Sequence, residues 1–154
     1  MDELKRIKVQ LRGTFSGRAW HGDSLMKILD GVTAEQAMQK PIPDAHSIWE
    51  LALHINAWQK AGVRILAGEV VMDLPEEENF PTIPDASEEA WQAAVSELKD
   101  GHREFRNVVS KLSEDDLEKT VAGRDFAVYF LLHGVIHHNL YHAGQIALLK
   151  KAFA

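Results

Sequence analysis

The chain has 154 residues, 45% hydrophobic and 26% charged, with a net charge of −6 at pH 7 and no cysteine. That composition excludes a disordered chain. The acidic balance argues against a phosphate-backbone partner, which needs a concentrated basic surface, so no nucleic-acid role is expected. Without cysteine there is no disulfide framework, no Cys-ligated zinc, no iron–sulfur cluster and no cysteine nucleophile.

The length suits one domain, taken as residues 1–154, with a single core. The opening MDELKRIKVQ is charged throughout and has no apolar signal core, which argues against export. With the lack of cysteine, it leads to a cytoplasmic expectation.

Apolar residues recur at helical spacing in four segments. The first runs from about Asp2 to Asp30, with Leu4, Ile7, Leu11, Phe15, Gly22, Leu25 and Leu29 near one face and His21 close to it. Gly31 suits its stop, and Gly13, Gly17 and Gly22 weaken its middle. Thr33-Ala-Glu-Gln36 has capping-box form, and Pro41 and Pro43 then force a break.

The second helix opens on the capping box Ser47-Ile-Trp-Glu50. It places Leu51, His54, Trp58, Ala61 and Ile65 on one face, with Gly68 as its stop. Glu69 to Ala86 holds three prolines and an acidic run, Glu76 to Glu78, and reads as a long crossing connection.

The third helix starts near Ser87. Trp91, Val95, Leu98, His102, Phe105, Val109 and Leu112 step by four and three, the seam of a bundle.

The fourth runs from about Asp125 to Lys151. Phe126 to Leu149 are 24 residues without a formal charge, long enough to cross a bilayer. Six of the 24 are His, Asn or Gln, and Lys150 and Lys151 follow. The preferred reading is therefore a helix buried almost all round, with one face continuing into a subunit interface, and no membrane span. Four helices with one long middle connection give an all-α, four-helix bundle of crossover topology.

Four of the eight histidines fall between His133 and His142. His138 and His142, four apart, lie on one helical face together with Leu131, Val135, Ile146 and Leu149. His54, on the apolar stripe of the second helix, supplies a third imidazole from a facing helix. Three neutral imidazoles suit zinc, nickel or ferrous iron and leave coordination positions open.

HxxxH alone is a weak signal. His133 and His137 share the spacing but point about 100–140° away, beside Phe130, Tyr141 and Leu148. Spacing alone weighs a metal site evenly against hydrogen-bonded packing, and a buried imidazole cluster without a metal is awkward to satisfy.

Three stretches resemble the DinB/YfiT-like superfamily of metal-dependent four-helix-bundle enzymes. Pro43 to His54, with Ser47-Ile-Trp-Glu-Leu-Ala-Leu-His54, resembles its second-helix entry. His138-Asn-Leu-Tyr-His142-Ala-Gly-Gln145 resembles its HxxxHxGQ signature, the most specific of the three. Leu29 to Gln36 resembles its link after the first helix. The likeness covers essentially the whole chain.

The resemblance implies a divalent metal on His54, His138 and His142, an up-down-down-up bundle and a homodimer. It also implies two chemistries: transfer or isomerisation with a low-molecular-weight thiol and an electrophilic substrate, or hydrolysis. The alternative is a non-catalytic dimeric module whose metal only stabilises the core.

Around the site, Gly144 reads as a point of close helix approach and Gln145 as an orienting amide, with ordinary packing and hydrogen bonding as the alternative for both. His21 and His102 are candidates for a further ligand or proton carrier, although interior packing is favoured. His46 reads as solvated and Glu50 as a cap. No HExxH, G-x-S-x-G, phosphate loop or Rossmann fingerprint is present.

Overall fold

A computed structural model describes residues 2–153. Among them are seven α-helices, one 3-10 turn at Glu114–Glu118 and no strand. The helices are α1 (Glu3–Phe15), α2 (Leu25–Leu29), α3 (Ala34–Met38), α4 (Ile48–Leu66), α5 (Glu76–Asn79), α6 (Glu88–Ser110) and α7 (Val128–Lys151). No helix among the described residues is long and apolar enough to cross a membrane.

The caps act as the sequence signals indicate. Thr33 and Ser47 each accept from the backbone of the third helical residue, while Gln36 and Glu50 reach back to complete reciprocal capping boxes. Gly31 and Gly68 end their helices at φ of 74° and 94°, conformations that favour glycine. Ser87 caps α6, and Glu114 of the 3-10 turn caps α1 from a distance by accepting from the Leu4 amide.

Four long helices form the bundle. Around its circumference α1 neighbours α6 and α7, and α4 neighbours α6 and α7. Trp49 meets Trp91, Gln59 meets His102 and Gly62 meets Phe105, so α4 and α6 advance together. His54 and Trp58 meet His138, while Ile65 shares a cavity wall with Leu131, so α4 and α7 run oppositely. Phe15 stacks on His102 and Lys8 reaches the Ser110 carbonyl, which sets α1 against α6.

The core is two apolar clusters. One gathers Phe15, Ile48 to Ile55, Trp91 to Leu98 and Ala143 to Leu149. The other gathers Leu4 to Leu11, Ala61, Ile65, Phe105, Val109 and Val128 to Ile136. On every long helix the residues between the clusters are polar: Thr14 on α1, Asn56 and Gln59 on α4, His102 on α6, and Asn139 and His142 on α7, all buried. A polar belt therefore crosses the bundle at mid-height.

Two expectations need correction. The first segment is not one helix to Asp30. It stops at Phe15, and residues 16–24 form a loop before α2, with Gly22 at φ 125°. The Gly17 amide bonds the Arg12 carbonyl, closing α1 where a glycine cluster makes continuation costly. His21 consequently lies exposed in that loop, not on an inner helix face.

The crossing connection between α4 and α6 carries one helical turn, Glu76–Asn79, whose acidic residues favour its N-terminal end. Finally, α7 is not buried all round. Phe130, Tyr141 and Leu148 are 61–67% exposed, since α7 packs on α1, α2 and α4 and leaves its outer side open. Absence of charge marked the helix, but its outward residues are aromatic, Gly, His or Leu instead of Lys or Glu.

Candidate metal centre

The polar belt reaches the surface between α4 and α7, and three histidines stand there. α4 is fixed by its Ser47–Glu50 cap and apolar stripe, which turns His54 toward α7. On α7, His138 and His142 are one turn apart, so both rings project to the same place. The His54 and His138 Nε2 atoms are 3.0 Å apart, and those of His138 and His142 are 3.1 Å apart. One ring nitrogen from each of the three lies within 4.8 Å of the others, a group that can hold a metal ion. His54 and His142 are buried, and His138 is half-buried.

The far side of two rings determines what the near side presents. His54 Nδ1 faces the Asn79 carbonyl at 3.2 Å, and His142 Nδ1 faces Gln145 Oε1 at 2.6 Å. Both partners are acceptors, so each Nδ1 carries the proton and donates it, and each Nε2 is left with a lone pair. Two lone pairs thus converge on His138 Nε2, which can donate a proton to only one of them. A cation at the meeting point satisfies all three. Imidazoles held by carbonyl acceptors on their outer nitrogens are the arrangement a histidine-ligated metal uses, so the residues fit the group.

Burial disfavours the imidazolium. It pushes His138 down to about 3, with the neighbouring His142 and His54 adding to the effect. Burial also lowers His54 and His142, opposed in His142 by the bond to Gln145. All three rings are therefore neutral near pH 7, the state a ligand requires.

Phe80 covers the site from the connection, stacking on His54 with centroids 4.4 Å apart and on His46 at 3.9 Å. Asn79 anchors this segment twice, since its carbonyl accepts from His54 Nδ1–H and its Oδ1 accepts from Trp58 Nε1 at 3.0 Å. Neither residue was singled out from the sequence. They lie in the connection between α4 and α6, Asn79 ending the α5 turn and Phe80 following it, where no apolar period marks them.

The remaining histidines are elsewhere. His102 is buried, stacks on Phe15 at 3.7 Å and places Nδ1 3.1 Å from Gln59 Oε1; it does not join the three. His133 lies 3.7 Å from Glu3, and His137 is exposed. His46, half in solvent, sits 3.5 Å from Glu50. Gln145 orients a ring, whereas Gly144 faces open space: among the described residues, no atom of another element lies within 4 Å of a Cβ placed there.

A sequence model of the DinB superfamily matches residues 19–146. No curated protein and no solved structure matches the chain.

Proposed function

The chain belongs to the DinB superfamily, and from that premise we propose that it is a metal-dependent enzyme whose ion is held by His54, His138 and His142. The observation that carries this reading is the convergence of Nε2 atoms whose lone pairs are fixed by Asn79 and Gln145. A divalent ion, zinc, nickel or iron by the preference of such a donor set, supplies a Lewis-acidic centre that makes a water or a low-molecular-weight thiol nucleophilic near neutral pH. Three neutral ligands leave the positive charge of the site uncompensated, which favours an anionic incoming group such as a thiolate. With no thiol in the chain, such a group comes from outside. Phe80 and Trp58 flank the rings and restrict water. The reaction class is thiol transfer or isomerisation on an electrophile, with hydrolysis as the competing class.

The partner is proposed to be a second copy of the chain, seated on the outer side of α7. Phe130, Gly134, His137, Tyr141, Gly144 and Leu148 step alternately by four and three along that side. The spacing reads the same in both directions. A twofold antiparallel copy would set Phe130 against Leu148, Gly134 against Gly144 and His137 against Tyr141.

Elemental analysis of purified wild type, His54→Ala and His138→Ala tests the ligand assignment. About one ion per chain is expected in wild type and almost none in the variants, all remaining helical by circular dichroism. Equal metal content in all three overturns it. Assay of the metal-loaded protein and of His142→Ala against thiols paired with electrophiles tests the chemistry. Equal inertness of the two transfers the case to a non-catalytic module.

A further inference from the structure

Beside the three histidines, a cavity of about 260 Å³ opens between α4 and α7. Its walls are mainly Trp58, Ile65, Phe126, Phe130, Leu131 and Val135, and His138 forms one side. The ring that belongs to the metal site is therefore also a wall of the cavity. No Asp, Glu, Lys or Arg lines it. Arg124 lies 5.8 Å from the Phe126 ring centroid, but its guanidinium is committed to the Val71 and Met72 carbonyls. An ionised group placed here would lose its water and find no counter-charge. An apolar group would exchange water for aromatic and branched walls.

We propose that this cavity holds the uncharged, apolar part of the substrate, an aromatic or branched alkyl group, with the reacting atom directed to the His138 end. That the bound group is a substrate rests on the metal-site reading, whereas binding in the cavity does not. It adds what the three histidines alone do not specify: the part of the electrophile held in the cavity is hydrophobic and uncharged, and any charged group it carries lies outside the cavity. The polar thiol or water approaches from outside the cavity.

The probe is 2-acetonaphthone, with 2-naphthoate as its charged counterpart of similar shape. Both are titrated calorimetrically into the full-length protein after removal of metal by a chelator, so that the carboxylate gains nothing from an ion. The ketone is expected to bind at least tenfold more tightly than naphthoate. Val135→Phe and Leu131→Trp, which add bulk to the cavity wall, are expected to weaken the ketone at least tenfold while retaining zinc uptake and wild-type helicity. Equal affinity for the two probes, or ketone binding unchanged in both filled variants, overturns the cavity assignment.

Cobalt(II) loading separates this from the metal reading. Ketone binding is expected to perturb the visible spectrum of the cobalt-loaded wild type. An unperturbed spectrum with binding intact overturns the link between cavity and site. Absence of cobalt uptake with ketone binding intact overturns the metal reading and leaves the cavity assignment standing.

Discussion

His142 and Gln145, three residues apart on α7, are joined by a 2.6 Å hydrogen bond from the ring Nδ1 to the amide Oε1. This contact fixes which nitrogen of His142 faces His138. Gln145→Leu removes the acceptor at little cost in packing, because Gln145 is only half-buried. The ring then loses the partner that selects its tautomer. Zinc affinity is expected to fall about 10- to 100-fold, the usual effect of losing such an outer partner, with the melting temperature of the metal-free protein nearly unchanged. Competition with a chromophoric chelator measures it. Affinity equal to wild type would show that Gln145 does not orient the ligand.

The buried imidazoles give the metal-free protein an acid-sensitive stability. His102 and His138 are held down to about 3, chiefly by burial, and His54 and His142 are lowered for the same first reason. In the unfolded chain these groups titrate near 6.5. Between pH 6.5 and about 3 the unfolded chain therefore binds protons that the folded chain refuses. The stability is whole above pH 6.5 and declines as the pH falls, by about 1.4 kcal/mol per pH unit for each fully excluded proton. Glu50, whose pKa is lowered despite burial by its bonds to Lys40 and Ser47, acts in the same direction only near and below its ordinary 4.5. Urea titrations at pH 7 and pH 5 thus read the imidazoles, and a lower midpoint at pH 5 is expected. His102→Leu should reduce the pH difference, since one excluded proton disappears. No difference between the two pH values would contradict the burial of these rings.

The long helices and the three site histidines were legible because both follow from period. His138 and His142 are one turn apart, so helical geometry turns both rings the same way, and His54 sits on the apolar stripe of a second helix that packs against theirs. What stayed hidden was set by contacts between distant segments. Asn79 and Phe80 reach the site only because their loop folds back on α4. Asn139 is fully buried, yet reads as a polar residue beside a histidine. The end of α1 at Phe15 was masked by apolar residues that continue at helical spacing through a loop, a pattern glycine conformation overrides.

Gly62 illustrates packing that period cannot reveal. It lies inside α4, where glycine costs about 1 kcal/mol relative to alanine in intrinsic propensity. A Cβ at this position would lie 2.7 Å from Phe105 Cε2, and Phe105 is fully buried. The ring cannot withdraw without disturbing the apolar cluster it shares with Ala61, Ile65 and Val109. Overpacking of this kind costs about 1–3 kcal/mol and outweighs or cancels the gain in propensity. Gly62→Ala is expected to lower the unfolding free energy by up to about 2 kcal/mol, whereas Gly134→Ala, where a Cβ meets nothing within 4 Å, is expected to raise or preserve it. Thermal melts of the two variants under identical conditions compare them, and a Gly62→Ala more stable than wild type would refute the close approach.

Tyr141 tests the proposed second copy. It is 67% exposed, so its replacement removes little packing within one protomer. In the twofold arrangement it faces His137 of the copy, near the centre of a stripe that carries no charge. Tyr141→Glu would bury two carboxylates close to the axis, where each is desolvated and each repels the other. Sedimentation velocity at tens of micromolar is expected to give a dimer for wild type and a monomer for Tyr141→Glu, with equal helicity and equal zinc content. Wild type that sediments as a monomer at every concentration would remove the partner from the proposal. A Tyr141→Glu protein that remains dimeric would instead move the contact away from the outer side of α7.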